Sequence, residues 1–392
     1  MDLRECKKEF IRISGKEDFR VFFAPGRINL IGEHTDYNGG NVFPAAITFG
    51  TYGLAAKNNL NKFRMYSINF PNLGVIEFAM DNLEYNKQHD WANYPKGMIR
   101  YLKEAGYVIN SGVDIVFYGN IPNGAGLSSS ASIELATGVI LEGLFSLSID
   151  RIDLVKIGKK VENEFIGVNS GIMDQFAIGM GKKECGILLD CETLKYSYAP
   201  IKLENYDIVI MNTNKRRELA DSKYNERRGE CEEALRRLQK VVNINSLGQL
   251  SEEKFEEYKK VIEDQVLVKR AKHAVYENQR TLKALEELNK GNILAFGKLM
   301  NQSHISLRND YEVTGIELDT LVEAAWEQEG VVGARMTGAG FGGCAIAIVE
   351  KKYTENFIKN VGDKYKDTIG YEADFYIASI GDGAREIKEE NL

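Results

Sequence analysis

The sequence predicts an α+β protein of two domains. Three observations favour this fold class: the chain length, a first half rich in short strands, and a second half rich in charged helices that returns to strands near its end. The 392 residues exceed a typical domain of about 150 residues. Because the composition changes near residues 200–215, we expect domains at 1–205 and 206–392, with a site in the cleft between them.

Short β-branched or aromatic runs, separated by Gly, Asn and Pro, dominate the first half. They predict strands over 19–24, 42–47, 51–56, 64–70, 75–80, 113–118, 185–189, 196–199 and 208–212. Apolar residues at helical spacing that end at Gly106 predict a helix from Trp91 to Ala105. Two further helices are expected over 131–144 and 151–165.

The second half is predicted to be mainly helical. The expected helices cover 221–241, 252–262, 266–289, 292–307, 315–329 and 353–366, and the expected strands cover 331–336, 344–349 and 374–380. No internal repeat interrupts this pattern.

Charge and composition exclude several classes of function. The net charge of −7 argues against a nucleic-acid partner, which requires a basic surface. Five cysteines without a CxxC pair argue against a disulfide framework and favour a reducing compartment. The least polar helical stretch, residues 135–149, is too short to span a bilayer. We therefore expect a cytoplasmic protein that needs no membrane and no obligate protein partner.

The segment PGRINLIGEHTDYNGG, which begins at Pro25, carries an unusual group of polar side chains. Arg27, Glu33, His34 and Asp36 lie between two predicted strands. Many acceptors with a few donors suit a ligand with many hydroxyl groups. A solvated turn built on Asp36 and its neighbours is an equally good interpretation of this segment alone.

A second segment, GNIPNGAGLSSSAS, joins a predicted strand to a predicted helix from Gly119 onward. This arrangement gathers backbone N–H groups and a helix N-terminus around a phosphate. It is not a Walker A loop, because GxxxxGK[ST] is absent from the chain. Taken by itself, the segment is also explained as a serine-capped helix preceded by flexible glycines.

The third segment, MTGAGFGGCAIAIV from Met336, satisfies GxGxxG but leads into a strand-like run. A dinucleotide-binding fingerprint opens a helix instead. The segment is therefore interpreted as a glycine-rich hairpin, or as a loop that contacts another loop or the substrate. Separately, Asp174 has the apolar neighbours Ile172, Met173 and Phe176, so its carboxylate must be paired, hydrogen-bonded or functional.

Together these segments resemble the three motifs of the GHMP small-molecule kinases, and GRINLIGEHTDYNGG resembles the galactokinase signature within that family. NSGIMDQF, SKYNERR and SHISLRNDYEVTGIELD are also similar to galactokinase segments, so the resemblance extends from residue 24 to residue 349. It implies an N-terminal domain similar to a domain of a ribosomal protein and a ferredoxin-like C-terminal domain. The implied activity is ATP-dependent phosphorylation of D-galactose at its anomeric hydroxyl, with Mg²⁺.

The resemblance also implies roles for individual residues. It assigns Asp174 as the catalytic base and Arg27 as the cation that stabilises the transferring phosphoryl group. The implied galactose contacts are Glu33, His34, Thr35, Asp36, Gly171 and Tyr224. The implied ATP contacts are Ser67, Gly124, Ala125, Gly126, Leu127, Ser128, Ser129 and Ser130, and the implied Mg²⁺ ligands are Ser130 and Glu162.

Two alternatives remain from the sequence. A related sugar 1-kinase, acting on N-acetylgalactosamine or arabinose, differs mainly in the sugar pocket. A galactose-sensing homologue without catalysis is the alternative from another class. The intact LSSSAS run together with Arg27 and Asp174 favours catalysis.

Overall fold

A computed structural model describes residues 3–122, 124–215 and 220–388. The strands are β1 (Arg20–Asn29), β2 (Asn41–Val42), β3 (Pro44–Asn58), β4 (Lys62–Ser67), β5 (Ile76–Ala79), β6 (Gly112–Gly119), β7 (Cys185–Asp190), β8 (Tyr196–Pro200), β9 (Tyr206–Asn212), β10 (Val331–Thr337), β11 (Cys344–Glu350), β12 (Asp374–Ala378) and β13 (Arg385–Ile387). The α-helices are α1 (Leu3–Ser14), α2 (Asn93–Glu104), α3 (Ser129–Phe145), α4 (Arg151–Lys160), α5 (Met173–Met180), α6 (Ala220–Leu238), α7 (Glu252–Tyr258), α8 (Gln265–Asn289), α9 (Ile293–Ser306), α10 (Gly315–Trp326) and α11 (Thr354–Ile369).

The first half is organised around a six-stranded sheet with the order β13-β1-β3-β6-β4-β5. Successive side chains of a strand point to opposite faces, and both faces of this sheet are covered. Val21, Leu54 and Val116 pack with Phe10 of α1 on one face. Phe22 lies on the other face, in the core that α2 and α3 share with the sheet. Helix α3 therefore packs against one face of this sheet.

The second half contains the antiparallel sheet β10-β11-β9-β12. β11, one of its two central strands, is buried on both faces, which explains its continuous apolar run. Ala345 and Val349 belong to the core of the second half. Ile346, on the opposite face, packs in a cluster with Ile28 and Leu30 of the first half. This shared cluster joins the two halves beside the segment that follows β1.

The α+β fold class is confirmed, but some elements differ from the prediction. The expected strands 42–47 and 51–56 are largely one strand, β3, which continues through Gly50 and Gly53. Helix α1, helix α5 and strand β13 were not predicted. β13 pairs with β1, so the end of the described chain returns to the first sheet. The domain boundary at 205/206 stays a prediction.

Within the described ranges, no helix is both long enough and apolar enough to cross a membrane.

Candidate active site

A cleft of about 710 Å³ lies between the segment after β1, the N-termini of α3 and α5, and the start of α6. Most of the predicted site residues line it: Arg27, Glu33, His34, Asp36, Gly124, Gly126, Leu127, Ser128, Ser129, Ser130, Glu162, Gly171, Asp174 and Tyr224. Asn123, in the predicted phosphate loop, lies outside the described residues.

Asp174 and Arg27 form a two-point ion pair in this cleft. Arg27 Nε donates to Asp174 Oδ1 at 3.0 Å, and Nη2 donates to Oδ2 at 3.1 Å. Arg27 Nη1 also donates to the carbonyl of Gly126 at 2.7 Å, which ties it to the predicted phosphate loop. Asp174 lies in the first turn of α5, where the helix dipole favours a negative charge. The pair therefore holds one carboxylate and one guanidinium in a fixed geometry beside the loop.

The serines at the start of α3 contact carboxylates across the cleft. Ser128 adopts a left-handed conformation, with φ 64° and ψ 50°, and makes no side-chain cap on the helix. Its hydroxyl donates instead to Asp174 Oδ2. The interpretation of these residues as a simple serine cap is therefore wrong for Ser128. An anionic ligand would meet a helix N-terminus that this side chain does not cover.

Glu162 accepts hydrogen bonds from serines of two different segments. Ser130 Oγ donates to Oε1 at 2.7 Å, and Ser170 Oγ donates to Oε2 at 2.5 Å. Glu162 itself lies in the π-helical turn Val161–Ile166 after α4. A hydroxyl and a carboxylate are the oxygen donors that Mg²⁺ prefers.

A cation at Glu162 would need oxygen atoms from outside the protein. Among the described residues, no group of three or more His, Cys, Asp or Glu side chains has the spacing of a metal site. Mg²⁺ usually keeps several waters and binds substrate phosphates with only one or two protein carboxylates. The donor set at Ser130 and Glu162 therefore fits Mg²⁺ bound together with a nucleotide.

The carboxylates on the other side of the cleft have raised pKa values. Burial raises the pKa of Glu33 to about 6, against the nearby charges of Arg335 and Arg27. Burial and the neighbouring carboxylate of Asp174 raise the pKa of Asp36 to about 6. Both groups are therefore mostly ionised at neutral pH and can accept hydrogen bonds from hydroxyl groups.

His34 is neutral, and its partners fix its tautomer. Burial lowers its pKa to about 3. Nε2 lies 3.2 Å from the carbonyl of Ala339, which can only accept, so Nε2 carries the proton. Nδ1 then accepts from the hydroxyl of Tyr37 at 2.8 Å. His34 therefore links the segment after β1 to the glycine-rich loop.

The glycine-rich segment is a hairpin loop between β10 and β11, as the sequence predicted. Gly338 has φ +89°, and a Cβ atom there would lie 3.2 Å from the carbonyl oxygen of Gly126. The loop therefore packs against the predicted phosphate loop, and Gly338 and Ala339 line the cleft. No helix follows the loop, which removes the dinucleotide-binding interpretation.

Three predicted contact residues do not line the cleft: Thr35, Ser67 and Ala125. The Thr35 hydroxyl lies within hydrogen-bond distance of the carbonyls of Gly32 and Asn41, at 2.9 and 2.7 Å, and so shapes the turn. The ligand contacts of these three residues stay predictions. Conversely, Ser170 is a residue of this site that the sequence analysis did not predict, although it directly precedes Gly171.

The chain is similar to known protein families and relatives. Residues 93–182 match the GHMP kinases N terminal domain, residues 8–57 match the galactokinase galactose-binding signature, and residues 284–367 match the GHMP kinases C terminal domain. A galactokinase of Clostridium beijerinckii is 61% identical over 386 residues, covering 98% of this chain and 99% of the relative. A galactokinase of Clostridium acetobutylicum is 62% identical over 380 residues, covering 97% and 98%.

The chain is also similar to solved structures of kinases. The crystal structure of Lactococcus lactis galactokinase complexed with galactose has a TM-score of 0.96 and 55% identity, covering 98% of this chain and 100% of the other. The mevalonate kinase of Methanococcus jannaschii has a TM-score of 0.66 at 19% identity, covering 93% and 99%. At that identity the second likeness concerns the fold alone.

Proposed function

This chain belongs to the galactokinase family of the GHMP kinases, and we propose that it transfers the γ-phosphoryl group of ATP to the anomeric hydroxyl of D-galactose. The products are α-D-galactose 1-phosphate and ADP. The observation that carries the proposal is the two-point Arg27–Asp174 pair, which lies where the phosphate loop meets the segment of Glu33 and Asp36.

In the proposed reaction, the anomeric oxygen attacks the γ-phosphorus of ATP and the bond to the β-phosphate oxygen breaks. The proton of the anomeric hydroxyl passes to Asp174, and ADP leaves. Arg27 orients Asp174 and places a positive charge beside the transferring group, because its third nitrogen is held by Gly126 of the phosphate loop. Phosphoryl transfer depends mainly on such positioning and charge neutralisation.

Mg²⁺, held by Ser130 and Glu162, would neutralise charge on the nucleotide phosphates when bound. Ser170 contributes to this site by fixing the second oxygen of Glu162. The hydrogen bond from Ser130 to Glu162 keeps the two proposed ligands within reach of one cation.

Sugar recognition is assigned to Glu33, Asp36, His34 and Tyr224. The two carboxylates accept from sugar hydroxyls, while Tyr224 lies beside the His34 ring, with 5.7 Å between the ring centroids. The galactose complex of the Lactococcus lactis relative supports galactose as the sugar. The comparison therefore favours galactose over N-acetylgalactosamine and arabinose as the proposed substrate.

The non-catalytic alternative is disfavoured by the same site. A sensor needs only to bind sugar and nucleotide, yet the Asp174 carboxylate here is fixed by Arg27 and Ser128 in the cleft beside the proposed phosphate loop, where transfer to a sugar hydroxyl requires a proton acceptor. We further propose a cytoplasmic location, since none of the five cysteines forms a disulfide.

The test is a coupled ADP-release assay with galactose, N-acetylgalactosamine, arabinose and glucose. We expect galactose-dependent ADP release that stops with EDTA and returns with Mg²⁺. Comparable kcat/KM values for glucose and galactose would contradict galactose specificity. ADP release that no sugar stimulates would contradict the kinase activity itself.

A further inference from the structure

The segment of the proposed sugar contacts rests on a polar face of α8, which belongs to the second half of the chain. Glu277 on this face is fully buried. Its Oε1 accepts from the backbone N–H groups of Gly32 at 3.0 Å and Glu33 at 3.2 Å, and from Ser303 Oγ at 2.5 Å. Such a buried carboxylate would be costly without these donors.

Glu277 is ionised despite its burial. Burial opposes the charge, but the charge of Arg280, whose Nε donates to Oε2 at 2.7 Å, together with the charge of Arg335 and the hydrogen bond from Ser303, outweighs it and lowers the pKa of Glu277 to about 2. Bonds from N–H groups to an ionised acceptor are roughly twice as strong as neutral ones. The two amides of the sugar segment are therefore held by a permanent negative charge.

The carbonyl of Glu33 is held from the preceding turn of the same helix. His273 Nε2 lies 3.1 Å from this oxygen, and burial lowers the pKa of His273 to about 4, so a neutral ring donates there. The peptide groups on both sides of Glu33 are thus fixed to α8. The side chain of Glu33 is in turn paired with Arg335, at 3.1 Å.

Gly32 shows how closely the segment approaches α8. It has φ +90°, and a Cβ atom there would lie 2.7 Å from the carbonyl oxygen of Asn41 and 2.8 Å from Thr281 Oγ1. Asn278, one residue beyond Glu277, accepts from the N–H of Asn41 at 2.8 Å. Both ends of the turn therefore depend on the same helix.

We propose that Glu277 is a positioning residue for sugar recognition, which fixes the backbone of Gly32 and Glu33 so that Glu33 meets the sugar in one orientation. Glu277 does not line the cleft and acts through Glu33, which does. This role rests on the proposed function, since it presumes that Glu33 binds the sugar.

The kinetic test compares Glu277→Gln with Glu287→Gln. Glu287 lies on the same helix and accepts from Lys290 and Asn292, remote from the sugar segment. We expect Glu277→Gln to raise the KM for galactose about tenfold or more, with the KM for ATP changed less than about twofold, because a neutral acceptor holds the amides more weakly. The control should leave both constants unchanged. A fall in kcat alone, or equal rises in both KM values, would overturn the proposal.

Hydrogen–deuterium exchange of the wild-type protein tests the anchor without any variant or turnover. Amides 32 and 33 should exchange slowly in the free protein, because Glu277 already binds them. Rapid exchange that becomes slow only after galactose is added would overturn the proposal, whether or not Glu277→Gln folds. If the wild type phosphorylates no sugar, the proposed function fails, while slow exchange of these amides would still support the anchor.

Discussion

Gly171→Ala is the substitution whose effect the structure defines most sharply. A Cβ atom at Gly171 would lie 1.7 Å from Asp36 Oδ2 and 2.4 Å from its Cγ. Ordinary van der Waals separation is about 3.5 Å, so the carboxylate must retreat by about 1.5 Å or more. Gly171 has no positive φ, so the substitution adds this contact without adding backbone strain.

Asp36 must move because the backbone beside Gly171 is fixed. The N–H of Ser170 donates to Asn163 Oδ1 at 3.1 Å, and the Ser170 hydroxyl donates to Glu162. On the other side, Ile172 is 6% exposed and packs in the core. The chain at Gly171 therefore cannot retreat without breaking these contacts.

The expected loss is large and specific to the sugar. A displacement of about 1 Å at a reacting or binding group can cost roughly 10²-fold, and loss of a hydrogen bond to a charged group costs about 1.5–3 kcal/mol. We therefore expect the kcat/KM for galactose to fall roughly 100-fold, with the KM for ATP changed by less than about threefold.

Steady-state kinetics with each substrate varied in turn, together with a thermal melt, measures this effect. Gly229→Ala is the control, because nothing lies within 4 Å of its Cβ position and the residue is exposed on α6. A folded Gly171→Ala protein whose galactose kcat/KM stays within about threefold of the wild type would refute the reasoning.

Three other changes address the remaining site residues. Asp174→Asn should lower kcat by about 10²–10⁴-fold, while ATP still binds in a calorimetric titration. A variant that keeps more than roughly a tenth of the wild-type kcat would show that Asp174 is not the base. Arg27→Lys should lower kcat more than it raises the KM for ATP, because lysine lacks the planar fork that reaches both Asp174 oxygens. A change in KM alone would argue against the proposal that Arg27 stabilises the charge of the transferring phosphoryl group. The kcat/KM for galactose should fall as pH drops below about 6, because Asp36 and Glu33 both protonate there. Asp36→Asn should make this fall with pH shallower. A pH profile that is the same in the wild type and in Asp36→Asn would contradict this assignment.

The pH dependence of stability should have the opposite sign. The folded-state pKa values of Asp36 and Glu33 are raised to about 6, so the folded protein binds more protons than the unfolded chain between the two pKa values. Their contribution to stability is fully present below the unfolded pKa and is lost as pH rises through about 6. The ligand-free fold therefore gains from the protonation that impairs sugar binding.

The sequence predicted those strands that are strongly apolar. β11 is a continuous apolar run up to Glu350, β6 is largely apolar apart from Asp114, and both lie where they were expected. Helix α5 was missed because its eight residues are buried on nearly all sides and show no polar face. β13 was missed because three mostly exposed residues carry no strand pattern; only its pairing with β1 defines it.

The site was predictable as a set of segments but not as a set of contacts. The motifs implied that Arg27, Asp174 and Ser128 belong together. That the Ser128 hydroxyl bonds to Asp174 rather than to its own helix depends on a left-handed residue, which local sequence does not specify for serine. Ser170 is similar, because its importance comes from reaching Glu162 across a π-helical turn.

The polar face of α8 shows what local patterns leave undetermined. His273, Glu277 and Thr281 recur every four residues and therefore share one face of the helix, and all three are fully buried. In a sequence, a polar stripe of this kind is interpreted as a solvated face. Here it is buried because backbone groups at residues 32–33, more than 200 positions earlier, supply the hydrogen bonds. The turn that carries the proposed sugar contacts is thus specified jointly by its own glycines and by a distant helix, and neither pattern alone determines its shape.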